Sequence, residues 1–168
     1  MNRHTVAVLV RNQFGVLNRV TSMFRRRQFN ITALTVSETE SNDYSRITVV
    51  FDGEDVKKQQ LINQLYKLPD VCSIRELHQN ECVSCELMLI KMANNAQTRD
   101  DILTAADAFE AKTVDYTRDA MTFSLTADST RIDAFIDIMR DFEILEICRT
   151  GSVSLEKGSA TIRKVTNL

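Results

Sequence analysis

Apolar and polar positions along the chain switch between a period of two and a period of 3.6, in an order that occurs twice. The run Thr5-Val6-Ala7-Val8-Leu9-Val10 is apolar on both parities and predicts an interior strand over about residues 4–11. Val16, Val20, Met23 and Phe24 then recur at i, i+4, i+7 and i+8, one apolar face of a helix from about Gly15 to Gln28. Residues 31–39 alternate, with Leu34 and Val36 opposite in phase to Thr35 and Ser37, and the polar stretch Glu38–Asp43 reads as a hairpin loop. Ile47, Val49 and Phe51 mark a third strand. Leu61, Ile62, Leu65 and Leu68 stripe a second helix, which Pro69 stops, and Val71–Leu77 reads as a fourth strand. The order is β-α-β-β-α-β, a ferredoxin-like plan.

The second half repeats it. A strand runs from about Cys85 to Met92, and Thr98-Arg99-Asp100-Asp101 resembles a capped helix start. Ile102, Ala105, Ala106 and Phe109 face that helix inward. Val114 and Tyr116 pair through the Arg118-Asp119 turn with Met121, Phe123 and Leu125. Asp128 or Ser129 caps a last helix faced by Ile132, Phe135, Ile136 and Met139, before a strand over Ile144–Arg149. The reading is an α+β protein of two consecutive ferredoxin-like (βαββαβ) units, residues 1–79 and 80–151. Residues 152–168 follow as a polar tail without a clear period, expected to be mobile or to dock. Units this small leave one sheet face open, so an oligomer is expected, with the first unit as an interface.

Composition narrows the function. A formal charge of −2 argues against nucleic acid or anionic membrane as the main partner. Arg25-Arg26-Arg27 is the local exception, and it lies where a helix C-terminus favours cations. No apolar run reaches the length of a membrane helix, no signal peptide precedes the first strand, and the expected location is the cytoplasm. The cysteines Cys72, Cys82, Cys85 and Cys148 then read as reduced thiols. Cys82-Val83-Ser84-Cys85 has zinc or redox spacing, but it lacks a second ligand pair and runs into a strand, not a helix. The chain has four glycines, each isolated, hence no phosphate-binding loop, and it has neither GxSxG nor HExxH. No catalytic residue and no metal ligand is assigned. The chain reads as a binder.

The stretch from Arg11 to Ile31 carries the binding chemistry. Backbone N–H groups around Gly15, Val16 and Leu17, at the start of a helix, suit a carboxylate. Asn12 and Asn30 both donate and accept, and Ile31, Val16 and Leu34 offer an apolar floor. Together these suit an aliphatic amino acid. A purely structural reading stands level with it: Asn12 as helix cap, Gly15 as turn residue, Asn30 in a left-handed conformation.

Arg11–Val20, together with Phe29–Val36, resembles the amino-acid-binding ACT domain of acetolactate (acetohydroxyacid) synthase small subunits. Glu86–Lys91, Phe109–Asp115, Ile132–Ile136, Ile144–Ile147 and Arg149–Gly151 resemble the rest of that family in its order. The resemblance implies that residues 1–79 form an ACT domain for effector binding and dimerisation, and that 80–151 serve activation of the catalytic subunit. It implies a non-catalytic regulatory subunit in branched-chain amino acid biosynthesis. Its partner would be a large catalytic subunit that carries thiamine diphosphate, Mg2+ and FAD, with feedback inhibition by valine. In the family the effector lies between two ACT domains. One chain's loop, here Asn12, Gly15, Val16 and Leu17, faces the other chain's second strand, here Asn30 and Ile31. Arg11 and Phe14 depart from the family's usual acidic and small residues. A free-standing ACT-domain sensor that regulates another enzyme or a transcription factor is the alternative.

Overall fold

The computed structural model describes residues 2–163. They form two compact units. One is built from the chain up to Ser84 together with the segment returning at Ser152, the other from Cys85–Gly151.

In the first unit β1 (Asn2–Arg11), α1 (Val16–Arg26), β2 (Asn30–Glu38), β3 (Tyr44–Gly53), α2 (Asp55–Leu65) and β4 (Val71–Glu76) follow the expected order. The sheet runs β2-β3-β1-β4, antiparallel throughout, with both helices contributing to one core. That core joins Val6, Val8 and Val10 to Val16, Val20 and Phe24 of α1 and to Leu61 and Leu65 of α2. Phe51 meets Phe24 and Phe29 edge-on, with ring centroids 5.3 and 5.0 Å away. Gly53 permits this approach, since a Cβ there would lie 2.5 Å from the Phe29 ring. Helix α2 ends at Leu65, four residues before Pro69; a turn already closes there through Leu68 N–H to the Leu65 carbonyl.

Residues Ala7 and Leu9 point away from the helices. They pack with Leu77, Cys82 and Ile162, and with part of Tyr44. This second cluster explains why β1 is apolar on both parities, and of the two expectations for the polar tail, mobile or docking, residues 152–163 show the docked one. Strand β5 spans Cys82–Ala93, and β9 (Val153–Glu156) pairs with it. Ser84 and Ser154 join hydroxyls at 2.7 Å, Lys157 N–H donates to the Glu81 carbonyl at 2.8 Å, and Ile162 is buried. Residues 164–168 lie outside the described residues.

In the second unit β5 is followed by α3 (Arg99–Ala108), β6 (Lys112–Tyr116), β7 (Ala120–Ala127), α4 (Ser129–Met139) and β8 (Ile144–Arg149), in the sheet order β6-β7-β5-β8. Its core joins Met88, Ile90, Met92, Met121, Phe123, Ile102, Ile132 and Phe135. Asp128 caps α4, accepting from Arg131 N–H at 2.9 Å, as its sequence position predicts. The start of α3 differs from expectation: Asn95 Oδ1 takes the Thr98 N–H at 3.0 Å and the Thr98 hydroxyl at 2.8 Å, so Thr98 makes no side-chain cap. The α+β plan of two ferredoxin-like units is the observed fold. No helix among the described residues is long and apolar enough to cross a membrane.

Candidate functional site

Strand β1 delivers the chain into the loop Asn12–Gly15 at one end of the first sheet. Asn12 does not cap α1. Its N–H donates to the Asp43 carbonyl at 2.8 Å, and its side-chain amide donates to Glu38 Oε1 and to the Asn42 carbonyl, both at 3.0 Å. The loop is therefore clasped by the β2–β3 hairpin. Gly15 takes a left-handed conformation, φ 79° and ψ −3°, as the residue that opens α1. Val16 turns into the core, whereas Leu17 is 41% exposed and Phe14 entirely so. From behind, Asp70 braces the same corner. Its carboxylate holds Arg19 of α1 at 2.6 Å, and its carbonyl accepts the Arg11 N–H at 2.9 Å. A helix start held open on a fixed turn offers N–H donors to an anion such as a carboxylate.

Asn30 and Ile31 lie elsewhere. β2 runs antiparallel to β3, with Asn30 opposite Asp52 and Glu38 opposite Ser45. Arg11, on the Asn12 side, is opposite Tyr44. Asn30 is thus at the far end of the sheet from Asn12, roughly 25 Å along the strand at about 3.3 Å per residue. The structure brings Asn12, Gly15, Val16 and Leu17 together at one corner and puts Asn30 and Ile31 at the other end of the same edge strand. No single amino acid spans that gap within one chain.

The hairpin residues Glu38, Asn42 and Asp43, and the brace Asp70–Arg19, escape a reading of the sequence. They carry no spacing signal, being 26 to 59 positions from the residues they hold. The polar composition of 38–43 marks a loop without showing what it grips.

The remaining candidates have structural explanations. Cys82 and Cys85 are three positions apart in a strand, an odd interval that sends them to opposite faces. Cys82 is buried and Cys85 exposed, and burial, helped by Glu156 and Glu81, pushes the Cys82 thiol up from its ordinary value. No group of three or more His, Cys, Asp or Glu among the described residues is placed to hold a metal ion. Arg46, beneath β9, donates to the Ser154 carbonyl at 2.7 Å, and burial lowers its pKa. In the second unit the buried Glu86 carboxylate receives Arg149 through two bonds, at 2.6 and 3.0 Å, and the Ser129 hydroxyl at 3.0 Å. Arg149 also reaches Asp133 at 2.8 Å. Glu86 lies under that network with its oxygens bonded, and its geometry is that of a strut.

Two family models match the chain. One, described as an AHAS small subunit-like ACT domain, covers residues 6–73; the other, described as the small subunit of acetolactate synthase, covers residues 85–158. A probable acetolactate synthase small subunit of Archaeoglobus fulgidus is 42% identical over 157 residues, 94% of this chain and 98% of that protein. An acetolactate synthase small subunit of Mycolicibacterium smegmatis is 41% identical over 155 residues, 92% of this chain and 91% of that protein. Among solved structures, the acetolactate synthase small subunit of Thermotoga maritima superposes with a TM-score of 0.86 at 30% identity, over 95% of this chain and 100% of that one.

Proposed function

Since the chain belongs to the acetolactate synthase small-subunit family, we propose that it is the cytoplasmic regulatory subunit of that enzyme, itself without catalysis, and that it confers feedback inhibition by valine. A small subunit implies a large one. In this reading the large subunit carries the thiamine diphosphate, Mg2+ and FAD, and this chain contributes no ligand to them.

The observation that carries the proposal is the placement of the two half-sites at opposite ends of the exposed strand β2. β2 is an edge strand, with β3 as its partner on one side. Leu34 is its middle residue. Antiparallel pairing of β2 with β2 of a second copy, about a two-fold axis at Leu34, sets Asn30 of the second copy opposite Glu38 of the first. Glu38 is the carboxylate that holds the Asn12 amide. One dimer thus reunites each loop with the other chain's Asn30 and Ile31, twice. Ile31 lies opposite Phe51, on the helix-bearing face, the same side as the start of α1. Leu17, Leu34 and Val36, each 37–41% exposed, supply apolar surface for the joint.

In that site the valine carboxylate meets the N–H groups of Gly15 and Leu17, the Val16 N–H between them being donated to the Gln13 carbonyl at 3.3 Å. Its ammonium is taken by side-chain oxygens of Asn12 and of the partner copy's Asn30, and its side chain rests on Ile31. Bound valine favours the paired arrangement, and the catalytic subunit senses the change. A coupling of about 1–3 kcal/mol suffices, and it must be reciprocal. The test is reconstitution with the catalytic subunit, following acetolactate formation with and without valine. Asn30→Ala is expected to abolish valine inhibition and to leave activation intact. Full inhibition in that variant overturns the site.

A further inference from the structure

The C-terminal segment contributes to the first unit in a way that the order of the chain conceals. After leaving the second unit at Gly151 it returns as β9 and continues to Ile162 and Arg163. Ile162 is buried against Ala7 and Leu9 of β1, and Tyr44 of β3 packs on the same cluster. Arg163 pairs with Glu40 in the β2–β3 hairpin.

These contacts converge on the two supports of Asn12. Leu9 stands three residues before Asn12 on the strand that feeds the loop. Tyr44 directly follows Asp43, whose carbonyl accepts the Asn12 N–H, and Glu40 lies between Glu38 and Asn42, which hold the Asn12 amide. The segment is fastened upstream as well. The Ser154 hydroxyl meets those of Ser84 and Ser152 at 2.7 and 3.0 Å, the Ser154 carbonyl accepts from Arg46, and Lys157 Nζ reaches the Asn80 carbonyl at 3.1 Å.

We propose that residues 152–163 are a strap that positions the effector loop, with Ile162 and Arg163 as its positioning residues. The inference rests on the proposed effector site and adds its control. The strap touches no effector atom; it acts by fixing the hairpin that grips Asn12. Valine affinity is then set partly by a segment that begins where the second unit ends. Lifting the strap leaves the hairpin free to move and the α1 start without its fixed neighbour.

The test uses the full-length protein. Ile162→Asp puts a carboxylate into an apolar seat and releases the strap. Three readouts are taken: maleimide labelling of Cys82, which lies in the same cluster; amide exchange at Asn12 and at Phe123; and the valine Kd by calorimetry. The expected result is faster Cys82 labelling, Asn12 exchange faster by about tenfold, a valine Kd raised by about tenfold, and unchanged exchange at Phe123 in the other core. Ile162→Leu should restore wild-type values throughout. A variant with rapid Cys82 labelling and a wild-type Kd overturns the inference. Should Ile162→Asp not fold, Arg163→Glu at the surface replaces it. That change is expected to raise the Kd about twofold to threefold, and Glu40→Arg in the same chain to restore it; an unchanged Kd, or no restoration, overturns the strap's role. Failure of the wild-type protein to bind valine would instead remove the effector reading beneath it, a result distinguishable from both.

Discussion

Gly15 is the residue on which the candidate site turns. Its φ of 79° lies in the left-handed region, where a side chain costs about 1–2 kcal/mol. Space is not the obstacle, because a Cβ would have Arg19 Nη1 as its nearest neighbour, at 3.6 Å. Gly15→Ala is therefore expected to lower the melting temperature of the first unit by about 5–10 °C, followed by circular dichroism. It should also weaken valine binding, because relief of the strain would rotate the N–H groups that open α1. At this scale the sequence was informative in part. An isolated glycine between a strand and a helical stripe announces a turn. Asn12 is different: as a cap it would have bonded within its own helix, a local relation that spacing reveals. Its actual partners, Glu38 and Asn42, are set by the pairing of β2 with β3, and the identity of an asparagine does not encode that register.

Elements were legible wherever one face is apolar and the other wet. Strands such as β7 and the four helices show that signature, β1 is apolar on both parities because both its faces are packed, and the elements of the two units fold in the order the periodicity predicts. Strand β9 inverts it. Val153 and Leu155 are exposed and Ser154 is buried, because the position facing inward is held by hydrogen bonds to Ser84 and Arg46 instead of by apolar packing. A four-residue strand with its serine inside has no hydrophobic period to detect. The Glu86–Arg149 strut is another such case. It ties β5 to the end of β8 and, through Ser129, to the start of α4. The Glu86 side chain is 4% exposed and that of Arg149 32%. Glu86 and Asp133 hold the Arg149 guanidinium above its ordinary pKa, Glu86 contributing most, so Arg149 stays a cation. Removing the cation leaves a buried carboxylate whose remaining bond comes from Ser129. Arg149→Leu is expected to cost about 3 kcal/mol, the lower end for a broken buried pair because Arg149 is partly in water. Urea unfolding monitored in the second unit measures it. Arg149→Leu combined with Glu86→Leu should recover most of the loss, since the uncompensated charge is then gone.

For the whole molecule, the decisive question is what meets the edge of β2. An uncovered edge strand normally carries charges, notably lysine, that discourage pairing. β2 instead sets Leu34 and Val36 on its helix-bearing side and Thr32 and Ser37 elsewhere, with its one acid, Glu38, at the end and engaged by Asn12. That surface supports the proposed pairing of β2 with a second copy. The two-fold axis at Leu34 makes the prediction sharp, because a substitution on the axis meets itself. Leu34→Lys would set two ammonium groups against each other while leaving the monomer's core untouched, Leu34 being 37% exposed. Sedimentation velocity is expected to give a dimer for the wild type and a monomer for Leu34→Lys, with matching circular dichroism. If, as proposed, each effector site draws Asn12 and Asn30 from different chains, the monomer should bind no valine even though every site residue is present and unaltered. A Leu34→Lys protein that remains dimeric would move the interface off β2. The half-sites would then stay roughly 25 Å apart, and the effector would have to be held by the loop corner alone.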